Sequence, residues 1–187
     1  MIGSVAAVSV GSSAHAASGP YSIDKNVPDP GTTLLTDPDG SVKELGPVNA
    51  SNTKIAVIQD APTPMLGLTN PNAQVDLVNT WLQMQRSGGD DWLYFAWQRD
   101  ANSGSGFIAF EFMHSAAPAA CNYSNSSAQL TASCNPWKNR AAGDFMILWD
   151  QQGSSNTLYK RIWSGTPGHL TLGAPVAIPG TQAEATY

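Results

Sequence analysis

Asp91-Trp92-Leu93-Tyr94-Phe95-Ala96-Trp97-Gln98-Arg99-Asp100, then Ala101 to Gly106, then Phe107-Ile108-Ala109-Phe110-Glu111-Phe112-Met113-His114: this stretch decides the fold class. Aromatic side chains suit pleated, half-buried backbone, and the Asn, Ser and Gly between the two runs suit a turn. The pair therefore reads as a β-hairpin. Side chains alternate across a strand, so Leu93, Phe95, Trp97 and Arg99 share one face and Tyr94, Ala96 and Gln98 the other. In the second run Ile108, Phe110 and Phe112 oppose Ala109, Glu111 and Met113. Pairing Arg99 with Phe107 sets Glu111 beside Phe95 and leaves both faces largely apolar, as near the centre of a sheet. Glu111 is the exception. A carboxylate there must be paired, bound to a metal, or exposed in a groove. An ion pair with an arginine is the structural solution; a ligand site on the face that also carries Arg99 is the functional one.

Outward from this centre, turn residues mark the remaining elements. Ser87-Gly88-Gly89-Asp90 makes a tight link into the first aromatic run. Before it, Val75 to Gln85 fits a helix through Val75, Val78, Trp81 and Leu82, yet Thr80, Leu82 and Met84 also alternate; strand is the reading adopted. Lys54 to Gln59 reads as a buried strand and Leu66 to Asn72 as a loop. Tyr21 to Val48, with Pro28, Pro30, Pro38 and Pro47, reads as extended, turn-rich chain along a sheet edge. Beyond the aromatic runs, Asp144 to Asp150 and Thr157 to Ser164 form a second hairpin through Gln151 to Asn156. A last strand near Leu170 to Ile178 is broken by Pro175. Short strands at this spacing predict an all-β fold, an antiparallel sandwich of jelly-roll type.

The chain of 187 residues suits one domain, taken as residues 17–187. Only 12% of residues are charged, about half the usual share. Nine basic against fourteen acidic residues give a net charge of −5. An acidic chain lacks the basic face that displaces counterions from nucleic acid or docks on anionic lipid. No apolar run is long enough to span a bilayer as a helix. Residues 1–16 read as the remnant of an export signal: Val5 to Val10 is apolar, and Ala14-His15-Ala16 fits a small-x-small cleavage site. No basic residue precedes the apolar run, so this signal is incomplete. Cys121 and Cys134 agree with export, because an oxidised pair would close a polar loop over 121–134 and persist outside the cell. Two free thiols are the alternative. A zinc site would need more ligands than these two sulfurs offer.

Several segments together resemble a known kind of domain: Asp24 to Asp29, Val42 to Pro47, Gln74 to Leu77, Asp91 to Asp100, Phe107 to Phe112 and Gly143 to Asp150. This succession resembles the N-terminal domain of large actinobacterial secreted or cell-surface, adhesin-like proteins. It is more distantly similar to jelly-roll domains of the DOMON and family-nine carbohydrate-binding kind. The resemblance runs from about Tyr21 to the C-terminus. It implies a sandwich that continues past Tyr187 and further domains in a longer surface protein.

Three kinds of site remain open to the residues. Sugars stack on exposed indole faces, and of six tryptophans Trp137 is the strongest candidate, because Asn135-Pro136-Trp137-Lys138-Asn139-Arg140 reads as a loop. Trp92 and Trp163, near strand ends, follow; burial in the core is the competing role for most of the six. Asp24, Asn26 and Asp29, with Asp37 and Asp39 in the next acidic turn, could supply oxygens to Ca2+, although Asp, Pro and Gly are ordinary turn chemistry. Catalysis finds little support, since His15, His114 and His169 sit in no serine-elbow or zinc-protease context. The sequence thus predicts a secreted or cell-surface, noncatalytic binding or adhesion module for glycan or a surface protein. A purely structural spacer or assembly domain is the alternative.

Overall fold

The computed structural model describes residues 2–8, 33–36, 44–47, 63–69, 73, 76–99, 101, 106–122, 124–151 and 157–185. In chain order the strands are β1 (Ile2–Val8), β2 (Thr33–Thr36), β3 (Glu44–Pro47), β4 (Leu66–Thr69), β5 (Leu77–Ser87), β6 (Asp90–Arg99) and β7 (Gly106–Phe112). After a short helix α1 (Ser127–Ser133) come β8 (Phe145–Gln151), β9 (Leu158–Thr166), β10 (His169–Leu172), β11 (Val176–Ala177) and β12 (Ala183–Glu184). One antiparallel sheet has the order β12-β1-β6-β5-β2. A second runs β10-β9-β8-β7, with β11 also on β9, and β3-β4 form a separate hairpin. The fold is an open antiparallel β-sandwich.

The longest hairpin is β5–β6. Its register runs from Ser87↔Asp90 to Leu77↔Arg99, and Gly88 and Gly89 turn it with φ of 65° and 94°. Both values lie in the left-handed region that glycine enters without a Cβ clash, so the two-residue turn seen in the sequence holds. The alternation of Thr80, Leu82 and Met84 also holds, as strand rather than helix. The β8–β9 hairpin forms too, with Trp149 opposite Leu158. Pro175 separates β10 from β11, and each pairs with a different part of β9.

The two aromatic runs, however, are not hairpin partners. One edge of β6 is taken by β5 and the other by β1, so β7 cannot hydrogen-bond to it and instead pairs with β8 in the opposite sheet. The runs meet through their faces. Phe95 lies edge-on to Phe110 at 4.4 Å, and Trp97 packs edge-on to Trp149 at 5.2 Å. Such pairs contribute about 0.5–1.5 kcal/mol each beyond their burial. Around them Trp97, Ile147, Trp149, Leu158, Ala183 and Ala185 form the core between the sheets. The register of Arg99 with Phe107 and the placing of Glu111 beside Phe95 are overturned with the hairpin. Glu111 pairs with Met146 on the outer face of the second sheet, away from that core.

Two further differences and one agreement follow from the chain's pairing. Leu66–Thr69 is a strand, because β3 supplies it with a partner. Thr33–Thr36 lies on the sheet edge expected of the turn-rich segment. Ile2–Val8, the start of the segment read as an export signal, is a strand between β6 and β12. A peptidase acting after Ala16 would remove β1 and open that edge of β6. The expected strand Lys54 to Gln59 lies outside the described residues.

Candidate functional site

The chain between β7 and β8 leaves and returns at a matched pair. Phe112 and Phe145 are cross-strand partners whose rings stack at 4.8 Å and 13°. Two polar clusters close the neck above them. In the first, the fully buried Asp144 accepts hydrogen bonds from the His114 amide at 2.9 Å, the His114 ring Nδ1 at 2.8 Å and the Ala141 amide at 2.7 Å. Burial alone would push this carboxyl up. The hydrogen bonds from His114 and Ala141, with the imidazolium charge, outweigh it and hold Asp144 below the ordinary carboxylate range. In the second cluster, Arg140 meets Glu111 in a bidentate pair, Nε to Oε1 at 2.5 Å and Nη2 to Oε2 at 2.7 Å. Trp163 donates Nε1–H to the same Oε1 at 3.2 Å, and the guanidinium lies 4.4 Å over the Trp163 ring.

Within the excursion, Cys121 and Cys134 are joined as a disulfide. They pack with Leu130 of α1 against Leu45 and Leu66 of the β3–β4 hairpin. Ser126 and Gln129 cap α1 reciprocally. The turn carrying Trp137 follows. Its amide donates to Asn135 Oδ1 at 3.0 Å, its carbonyl accepts from Arg140 at 3.1 Å, and Asn139 reaches back to the Ala116 carbonyl at 2.8 Å. Trp137 is half-buried, with exposed Lys138 and Asn139 beside it. The other five tryptophans, Trp81, Trp92, Trp97, Trp149 and Trp163, are buried.

The candidates from the sequence therefore separate. Trp137 is held on a braced turn with part of its ring accessible. Trp92 and Trp163 present no free indole face, because Trp92 lies within the packing around β6 and Trp163 under Arg140. Glu111 has the arginine partner that its strand position demanded. Arg99 is partly buried, and loss of hydration draws its guanidinium below the usual range. It stands at the far end of β6 from the Trp137 excursion and does not join Glu111. Asp24, Asn26, Asp29, Asp37 and Asp39 lie outside the described residues.

The His114–Asp144 pair is absent from the sequence reading. A buried carboxylate orienting an imidazole is the arrangement that prepares a general base. Among the described residues no hydroxyl or thiol hydrogen-bonds to the His114 ring, and the bonds that Asp144 makes tie together the two ends of the excursion. Compared with known proteins, the chain matches no family model, no curated protein and no solved structure.

Proposed function

We propose that this chain is an exported, noncatalytic binding or adhesion module that contacts a glycan or a surface protein through Trp137. One observation carries the reading: of six tryptophans, Trp137 alone escapes burial, and it does so on a turn braced at Asn135, Asn139 and Arg140. A rigid aromatic with neighbouring amides suits the stacking and hydrogen bonding that sugars need, and a stiff loop loses little freedom on binding. The disulfide is compatible with an oxidising compartment, and among the described residues no helix is long and apolar enough to cross a membrane. The resemblance to actinobacterial surface domains points the same way. Binding to a glycan array or to host surface proteins should saturate for the native chain and vanish in Trp137→Ala at unchanged thermal stability. Binding retained by that variant refutes the assignment. Burial of the other five tryptophans favours a structural spacer as the second reading, and the absence of any ligand across such panels would support it.

A further inference from the structure

The excursion between β7 and β8 differs from the rest of the chain in its charge. Fourteen Asp and Glu stand in the sequence, yet none falls between Glu111 and Asp144. The same residues include Lys138, Arg140 and His114. Both bounding carboxylates are engaged at the neck. Glu111 holds Arg140 in its bidentate pair, and Asp144 accepts from His114 and from the Ala141 amide. Arg140 is buried, so its charge is compensated where it stands. Lys138 is different. It is exposed, and among the described residues no carboxylate lies within ion-pair distance of it. On a chain of net charge −5, the turn that presents Trp137 thus carries an unpaired positive charge.

Three successive residues of this turn suit one ligand chemistry. Trp137, half-buried, has part of its ring accessible for stacking. Asn139 gives its amide nitrogen to the Ala116 carbonyl at 2.8 Å, which leaves the amide oxygen for a hydroxyl. Between them stands Lys138, whose backbone is fixed by its own amide donating to the Asn135 carbonyl at 3.1 Å. An aromatic face, an amide and an ammonium together match a sugar that bears hydroxyls and a carboxylate. The negative charge of the whole chain repels a dense polyanion, so isolated carboxylates fit better than a sulfated or phosphorylated polymer. We infer that the Trp137 turn takes a carboxylated sugar, a uronate or a sialate, in preference to a neutral one, with the carboxylate at Lys138. This preference rests on Trp137 being the contact residue.

Titration calorimetry of the full chain tests the assignment with trigalacturonate against its methyl ester, and with sialyllactose against its methyl ester. Each ester keeps the rings and loses only the charge, and whichever acid binds identifies the source. The acid should bind about threefold to fivefold more tightly than its ester, as befits an exposed ion pair. Lys138→Gln should bring acid and ester to equal affinity, whereas Lys138→Arg should keep them apart. Salt near about 1 M should shrink the difference in the native chain. Trp137→Ala should abolish binding of both. The inference is overturned by acid and ester bound equally by the native chain, by a difference that persists in Lys138→Gln, or by no binding of either acid. Neutral glycans whose binding is lost in Trp137→Ala would still uphold the Trp137 reading in those cases, whereas ligand retained by Trp137→Ala refutes that reading itself.

Discussion

Replacing Glu111 with glutamine takes the bidentate carboxylate away from the charged, buried Arg140 guanidinium. The Arg140 side chain is 1% exposed and that of Glu111 15%, so water can reach the pair only from the carboxylate side. The introduced amide can accept one of the two guanidinium hydrogen bonds but turns an N–H toward the other donor. Removing one partner of a buried pair costs about 3–5 kcal/mol. The partial opening at Glu111 and the surviving stack on Trp163 place this case near the lower end, about 3 kcal/mol. For a domain of this size, that is a fall in Tm of roughly 6–12 °C. Urea unfolding followed by tryptophan emission measures it, alongside the double variant Glu111→Leu/Arg140→Met. The double variant has no orphaned charge and should recover most of the loss. Salt should matter little to either comparison, since buried pairs are weakly screened. A single variant within about 1 kcal/mol of the native chain would refute the reasoning, as would a double variant no more stable than the single.

The neck, the loop and the turns supply the other predictions. Asp144 titrates below an unfolded carboxyl, near about 3.9, so its stabilisation is complete above that value and is lost as pH falls through the lower folded value. Asp144→Asn should therefore be less stable at neutral pH yet lose less Tm on acidification below about pH 4; an unchanged acid limb would contradict this. Replacing Cys121 and Cys134 with Ala should remove about 3 kcal/mol of loop-closure stabilisation, with hydrogen exchange rising in α1 ahead of β8. Gly165 has φ of 108°, and a Cβ there would strike the His169 carbonyl, so Gly165→Ala should lower stability by about 1–3 kcal/mol in chemical denaturation. Gly168→Ala, with open space around it, should cost less.

Much of the architecture is readable from single segments, because local turns fix local pairs. Gly88 and Gly89 between two alternating runs make β5 and β6 antiparallel neighbours, and the short Asn/Ser/Gly spacing from Gln151 to Asn156 in the sequence predicts the same of β8 and β9, which pair. The partner of β7 is different in kind. Alternation tells which side chains share a face, but Phe95 and Phe110 satisfy the same pattern whether their strands lie edge to edge or face to face. The choice is made by β1 occupying the far edge of β6, a contact with no local signature. Helix α1 did leave a trace, the capping residues Ser126 and Gln129, though with Leu130 as its one buried residue it shows no amphipathic period. At the neck, the need of Glu111 for an arginine is legible from its apolar strand, whereas the choice of Arg140 is not. Their separation, and that of His114 from Asp144, closes only once Phe112 and Phe145 are in register.

That register has a practical consequence for engineering. Because the excursion enters and leaves at neighbouring, stacked positions, the sandwich meets it as a cassette held by one polar collar of Glu111, Arg140, His114 and Asp144. Segments of other lengths and chemistries spliced between His114 and Arg140 should inherit a fixed mounting without disturbing the ladders on either side. Diversity presented to the outside could then be exchanged while the β-scaffold remains untouched.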